Sequence, residues 1–502
     1  MYEREMVYAL VLAAPLLLLI RRRMNPLYRI PAVGYSGPIL SYWSAIKFFV
    51  NAREMLQEGY SKYRGSVFRI PLLDRWVVVV GGAAMNEELR KFPDDQMNFM
   101  DAADELVQGK YTIAKEIHEN PIHVQVIRGP FTRNLGVLVP EVADEVAVAI
   151  DDVIPKTGDE WVSVVAFPAM TRIVCRASNR VFIGLPLCRN PEYLEIVLQY
   201  AMDVAKGRFL MTITPILLKP IVGRLLPWSK NALKKFSVLV RPIVDETYRQ
   251  FDHHGKEWAG KPKNLLTWLT EEAIATGNGP ELVVSAVLAS NFVAIHTSSI
   301  SITHALYHLA ACPEFVPPLR EEVETAIKKH GWSKQAISEM WKLDSFLRES
   351  QRFNGTSGVS VIRKAVVDTT LSDGTVIPAG TMLGAAAAAT HWDDDNYDDA
   401  SIFNPFRFSD MREDESERIK HQFVSTSPEY VPFGHGKHAC PGRFFAGYEL
   451  KIITAHILMN YDVKIEGNGT RPLNKWFGAA VIPDPQAKVC FRRRQAILIG
   501  NT

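Results

Sequence analysis

Several things are scarce in these 502 residues. Charge of one sign is one of them: Lys and Arg total 57 against 55 Asp and Glu, a net +2. No global field therefore marks a nucleic acid or an acidic partner. Gly (31) and Pro (30) are too few for a collagen-like or low-complexity chain. Cysteine is rarer still: Cys175, Cys188, Cys312, Cys440 and Cys490 stand far apart, with no C-x-x-C. An odd, scattered set argues against a disulfide framework and a structural zinc site, and fits the reduced cytosol. No internal repeat or long charge block follows residue 40. The strand-like run 77–80 leads into Gly81-Gly82, but Ala83, Ala84 and Met85 follow, so the G-x-G-x-x-G of a dinucleotide site is missing.

What is present is ordinary globular material, 47% hydrophobic and 22% charged. The chain is long enough to bury a sizeable core, as one large domain or up to three. Residues 6–20 form an uncharged apolar run, with Glu3-Arg4-Glu5 before it and Arg21-Arg22-Arg23 after it. As a helix this run spans about 22 Å, short of a hydrocarbon core of about 27 Å in the endoplasmic reticulum, a gap that Tyr2 and snorkelling arginines can close. A cleavable signal peptide carries its positive charge before the apolar run, so residues 1–23 read as a signal anchor. The positive-inside rule then leaves the rest in the cytosol, a single-pass protein of the endoplasmic reticulum membrane. Pro26, Pro31, Gly34, Gly37 and Pro38 suggest a stiff, extended linker over 24–44, with the main domain at 45–502. The sequons at Asn354 and Asn468 would matter only in the lumen.

Helical patterns dominate, around 51–64, 138–152, 193–206, 230–251, 281–311, 316–329, 338–353 and 443–460. Strand-like runs are short: 67–70, 77–80, 359–362, 381–385 and 489–492. The fold class is mainly α with a smaller β portion. Residues 281–311 show no solvent face, yet Asn291, His296, Thr297, Ser298 and Ser299 interrupt them. That combination suits a buried central helix better than a lipid-facing span. Asp394-Asp395-Asn396-Tyr397-Asp398 matches the D-D-x-x-D of prenyl transferases, but its turn-rich flanks make it a solvated loop.

One cysteine stands in unusual company. The run from Pro432 to Arg443 is a glycine-rich loop ending at Cys440, with Pro441 at the start of a helix. A helix N-terminus favours a thiolate. Gly434, Gly436 and Gly442 let backbone lie against something flat. A single soft ligand suits haem iron, with Phe433 limiting water at the sulfur.

Phe433-x-x-Gly436-x-x-x-Cys440-x-Gly442 resembles the haem-binding signature of the cytochrome P-450 superfamily. Three further motifs fall in the family's order. Glu349-Ser350-Gln351-Arg352 matches E-x-x-R, and Arg407 of the P-x-R-F segment at Pro405 would join Glu349 and Arg352 in a charge network. Residues 294–298 match the oxygen-binding segment of the central helix, with Thr297 as the oxygen-activating threonine. The resemblance spans about 30–495 and implies a triangular-prism fold behind an N-terminal transmembrane helix. It implies haem b with Cys440 as the iron's thiolate ligand. It also implies electrons from NADPH through a separate membrane reductase, O₂ as co-substrate, an apolar small-molecule substrate, and no nucleic acid.

There are departures. His438 stands where the family most often has a propionate-binding arginine, and His296 replaces the usual acid before the threonine. Val124 replaces the tryptophan of W-x-x-x-R; Arg128 remains, and with Arg363 it is a candidate propionate partner. By family layout, Phe99, Met100, Val287, Phe292, Val359, Val361, Trp476, Phe477 and Val481 line the distal pocket. The motif variants resemble those of fungal terpenoid enzymes such as ent-kaurene oxidase and indole-diterpene monooxygenases. The expected activity is insertion of one oxygen atom from O₂ into a terpenoid-like substrate. Desaturation or multistep oxidation on the same scaffold, and a non-catalytic haem or lipid binder, are the alternatives.

Overall fold

The computed structural model describes residues 24–156, 158–215 and 217–495. The proposed anchor, residues 1–23, lies outside them. A long helix, Pro280–Ala311, runs through the middle of the molecule, apolar on every side and buried along most of its length. Pro280 sits at its first turn, where a missing N–H costs nothing, and Pro313 follows its last. It is long and apolar enough to cross a membrane, but other helices cover it: Ala166–Phe182, Pro191–Ile213, Trp228–His254, Leu265–Ala275, Trp341–Phe353 and Arg443–Asn460. Each Leu, Val or Ile it buries contributes about 1.5–3 kcal/mol.

The β portion stands to one side. A five-stranded sheet runs in the order Val67–Pro71, Trp76–Val80, Met382–Ala385, Ser360–Ala365, Met97–Asn98, with the Trp76–Val80 and Met382–Ala385 pair parallel. Its register slips between Ser360 and Arg363, where Val361 takes φ +50°. A positive φ is costly for a β-branched residue. Lys488–Arg493 is the middle strand of a second sheet, between Val162–Val165 and Tyr461–Ile465. Lys475–Phe477 and Ala480–Ile482 form a hairpin.

Residues 24–44 are not the extended linker their Pro and Gly content suggests. Pro26–Arg29 is a 3₁₀ turn, Ala32 bridges Arg69, Ile30 and Val33 are buried, and a helix starts at Leu40. Two apolar residues with a core to enter outweigh local stiffness. The helix expected over 338–353 breaks at Met340, whose ψ of 76° separates Lys334–Glu339 from Trp341–Phe353. Asn354 is buried, so its sequon is closed to glycosylation in the folded chain whatever the compartment. The acidic run at 394–398 is a turn-rich loop, where Asp393 accepts from Tyr60 and Arg64.

Candidate functional site

The Cys440 loop closes on itself. The Cys440 N–H donates to the Phe433 carbonyl (2.7 Å), and Phe433 packs edge-on against Phe423 with centroids 5.4 Å apart. Gly434 and Gly436 have φ of +70° and +72°, where a side chain is strained. At Gly436 there is a second constraint, since a Cβ would collide with the Arg90 side chain. Arg443–Asn460 begins just behind the loop. Cys440 is the one exposed thiol among the described cysteines; Cys175, Cys188 and Cys490 are buried and Cys312 half-buried.

The helix start affects this thiol as the sequence suggested, but it does not win. Burial among protein atoms pushes the Cys440 thiol up, while the N–H groups of Gly442 and Arg443 and the charges of Arg443 and Arg128 pull it down. Contact with a metal ion would settle the balance, because a coordinating thiol is deprotonated outright.

Two arginines and a histidine stand near the loop, the histidine's pKa lowered by burial. The Arg128 guanidinium donates to the Lys437 carbonyl (2.9 Å). His438 stacks on Phe99 at 5.2 Å and meets Asp94 at 2.6 Å, a partner that sequence reading missed. The Arg363 guanidinium lies 5.9 Å from the same Phe99 ring. Arg363 is 1% exposed, and its one acceptor among the described residues is the Ile362 carbonyl (2.8 Å), leaving Nε and one Nη buried without a partner there. Burial lowers its pKa from 12.5 to about 10. A buried, under-bonded guanidinium calls for a carboxylate. The haem propionates would supply one, so the residues present fit that group.

The central helix offers an accessible stripe where it is otherwise buried. Val293 and Thr297 are exposed, and Phe292, His296 and Ile300 are half-buried. The Thr297 hydroxyl donates to the Val293 carbonyl (3.0 Å). His296 Nε2 is buried without a protein partner, and burial lowers the ring's pKa. Behind the stripe, Asn179 donates to Asn291 (2.7 Å) and accepts from Tyr193 (2.6 Å). Ser178 donates to Glu449 (2.6 Å), a wholly buried carboxyl that Ser298 also contacts. Asn291 and Ser298 stood out in the sequence, but their partners Asn179, Tyr193, Ser178 and Glu449 did not; the one available signal was a Glu among apolar residues in 443–460.

The charge network forms as expected. Arg352 donates twice to Glu349, both at 2.7 Å, and to the carbonyls of His391 (2.5 Å) and Ala400 (2.9 Å). Arg407 reaches Glu349 at 3.4 Å, and the Asn404 N–H donates to the same carboxylate at 3.0 Å. Of the expected pocket residues, Val287 is packed in the core, and Val361 and Val481 are nearly closed off, because their faces turn inward against neighbouring elements. Phe477 meets Phe49 on the outer surface, 6.3 Å centroid to centroid.

A cysteine-ended glycine loop at the start of a helix that packs on the buried central one, with Arg128 bonded to that loop, an under-bonded Arg363 on the Phe99 ring that stacks on His438, and a Glu–Arg–Arg network, fits a haem-thiolate protein. The cytochrome P450 family model matches residues 31–491, and the chain belongs to that family. It is 58% identical to cytochrome P450 monooxygenase 103 of Postia placenta, over 98% of this chain and 99% of that one. It is 31% identical to ent-kaurene oxidase P450-4 of Gibberella fujikuroi, over 93% of each. The retinoic acid-bound cyanobacterial CYP120A1 shares the fold, with a TM-score of 0.66 at 19% identity over 93% of this chain and 99% of that chain. The chain is thus a P450 monooxygenase of fungal type that uses haem-thiolate iron, O₂, a small-molecule substrate and electrons from a reductase.

Proposed function

We propose that Cys440 is the iron's thiolate ligand, that Arg363, Arg128 and His438 hold the propionates, and that the stripe at Thr297 faces the oxygen side. The observation that carries this reading is the unsatisfied Arg363 on the Phe99 ring that also stacks on His438, two residues before the exposed Cys440 thiol. When bound, haem supplies activation of O₂ for insertion of one oxygen atom into a C–H bond. Phe433, Gly436 and Gly442 shape the ligand loop. Glu349, Arg352 and Arg407 fix the backbone that carries it; a buried network of this kind specifies arrangement more than it adds stability. Thr297 orients the reacting oxygen by its hydroxyl. Among the described residues His296 Nε2 meets no protein partner, which supports a role in passing a proton through water.

The substrate is a large apolar molecule, in our reading a terpenoid of fungal secondary metabolism. The apolar stripe of Phe292 and Val293 and the similarity to ent-kaurene oxidase P450-4 support it. Membrane anchoring through residues 1–23, with the domain on the cytosolic face of the endoplasmic reticulum, is supported by exposed Ile39, Trp43, Phe49 and Val50 at the start of the described chain. Recovery of the full chain in the soluble fraction would refute the anchor. The central test is the carbon-monoxide difference spectrum of the reduced protein. Cys440→Ala should abolish the thiolate-type band, and Cys175, Cys188, Cys312 or Cys490 to Ala should each leave it. A normal band in Cys440→Ala would end the assignment. Incubation with reductase, NADPH and candidate diterpenes, with product analysis, then separates hydroxylation from desaturation and from binding without turnover.

A further inference from the structure

Beyond the C-terminal half of the accessible stripe, the central helix carries two buried histidines one turn apart, His304 and His308, that no step above uses. They belong to a closed ring of polar side chains. Arg471 lies 3.0 Å from His304 Nδ1 and donates to the Asn474 side-chain oxygen (3.1 Å). The Asn474 amide donates to the Asn354 oxygen (2.9 Å), and the Asn354 amide lies 2.6 Å from His308 Nε2. His304 and His308, four residues apart on one helix face, complete the ring through the helix itself, with no hydrogen bond between the two imidazoles among the described residues.

The direction of every bond follows from one residue. Arg471 can only donate, so the Asn474 oxygen must face it. The Asn474 amide nitrogen therefore faces Asn354, and the Asn354 nitrogen faces His308. Both imidazoles receive a hydrogen bond, at His304 Nδ1 and His308 Nε2, so both are neutral with opposite tautomers. Burial and the Arg471 charge hold both rings well below the ordinary histidine range. His308 also lies flat on Phe403, 3.8 Å between centroids, one residue before the Asn404 that donates to Glu349.

The ring stands at the root of two segments that are hydrogen-bonded to each other. Gly358 N–H donates to the Ala479 carbonyl (2.7 Å), Val481 N–H to the Thr356 carbonyl (3.0 Å), and Ser357 bridges Ala480. A Cβ on Gly358 would meet the Trp476 ring at 2.8 Å, so the indole lies directly over that backbone. The first segment leaves from Asn354 and the hairpin from Asn474, the two amides that join the ring's halves.

We propose that this ring is a positioning device. Asn354, Asn474 and His308 set where segment 354–361 and hairpin 475–482 stand over the central helix, and so which large ligands the distal pocket admits. The proposal rests on the reading, from family layout, of half-buried Val359 and Trp476 in those two segments as part of the distal wall. None of its residues touches the reacting atoms.

The test uses the holoenzyme and two probes that bind haem iron, imidazole and the bulkier 4-phenylimidazole, titrated by the Soret shift. His308→Leu and Asn474→Ala should keep the thiolate-type carbon-monoxide band and the imidazole Kd. Each should change the 4-phenylimidazole Kd by about fivefold, the net worth of one buried hydrogen bond. The double variant should do no more than the larger single one, since both cut the same circuit. His308→Gln, which keeps an acceptor for Asn354, should restore the wild-type ratio. Hydrogen–deuterium exchange at Gly358 and Val481 should quicken in the two disrupting variants and not in His308→Gln. Unchanged azole ratios with unchanged exchange at those two amides, or effects that simply multiply in the double variant, would overturn the proposal. Asn474 is half-buried, so its variant folds even where His308→Leu does not. Loss of the thiolate band in the unmodified protein would instead strike the Cys440 assignment. The exchange measurement would then judge the ring alone: quickened amides sustain it, unchanged ones refute it.

Discussion

Replacing Arg363 with Met should move two measurements in opposite directions. The guanidinium is 1% exposed and lacks partners for two of its three nitrogens. A fall in pKa from 12.5 to about 10 means that keeping the charge buried costs the folded chain about 3 kcal/mol. The folded value lies below the unfolded one, so the cost is complete below about pH 10 and is relieved only as pH climbs toward 12.5. At neutral pH it is present in full. Arg363→Met removes it, and the protein stripped of haem should resist urea better by up to about that amount. With haem bound, the same change leaves a propionate without its buried partner, a loss of about 3–5 kcal/mol, or 10²–10³ or more in haem retention. Transfer of haem to an excess of apomyoglobin reads the second quantity, and urea titration of the stripped protein reads the first. Arg363→Lys, which keeps the charge but not the fork, should fall between. A Met variant that holds haem as tightly as wild type would refute the propionate assignment, and one no more stable without haem would refute the desolvation argument.

Two further expectations concern the oxygen side and the network behind it. Thr297→Ala should keep the thiolate band and raise hydrogen peroxide released per NADPH. His296→Ala should do the same if the ring passes protons, and wild-type coupling should then change below pH 6.5, because burial lowers this pKa; unchanged coupling in His296→Ala would discard the histidine and leave the threonine. Glu349→Gln leaves Arg352 and Arg407 without their shared carboxylate and should cost about 3–5 kcal/mol, read as loss of holoprotein yield, while Glu417→Gln on the surface costs less than about 1 kcal/mol.

The parts legible in the sequence are those where one signal dominates. Pro280–Ala311 was bounded within a residue because its apolar run is long and prolines flank it. The cysteine loop was legible because its glycines are spaced by a geometric need, met at φ +70° and +72°. Ala166–Phe182 went unseen because it buries Arg176, Ser178 and Asn179, which break the apolar period. Those residues are buried against partners elsewhere in the chain, Glu145 at a separation of 31 residues, Glu449 at 271 and Asn291 at 112, and no local pattern encodes a partner that far off. The same holds for Asp94 beside His438 and for the ring around Asn354. Residues 24–44 misled for the opposite reason: their Pro and Gly content speaks for local stiffness, while Ile30 and Val33 decide the outcome by packing.

Glu449 shows what such a distant partnership implies for pH. Its carboxyl is wholly buried and, among the described residues, meets only the hydroxyls of Ser178 and Ser298, with no cation opposite it and Oε2 unpartnered. Burial raises its pKa from 4.5 to about 7. For an acid raised on folding, the folded state binds the extra proton between those two values. Stability therefore falls as pH climbs from 4.5 to about 7 and stays lower above it. The full difference is about 3 kcal/mol. Glu449→Gln keeps the shape and the hydrogen bonds but has no charge to bury. It should be about 3 kcal/mol more stable than wild type at pH 8 and nearly equal to it at pH 5. Urea midpoints of the two proteins at both pH values measure this. Ser298 follows Thr297 in the chain, so the ionised form places a negative charge behind the accessible stripe, and the Gln variant should also lose any alkaline drop in coupling that wild type shows. Equal stability of the two proteins at pH 8 would mean that the buried carboxyl finds compensation the hydroxyls do not provide, and the argument from desolvation would fail.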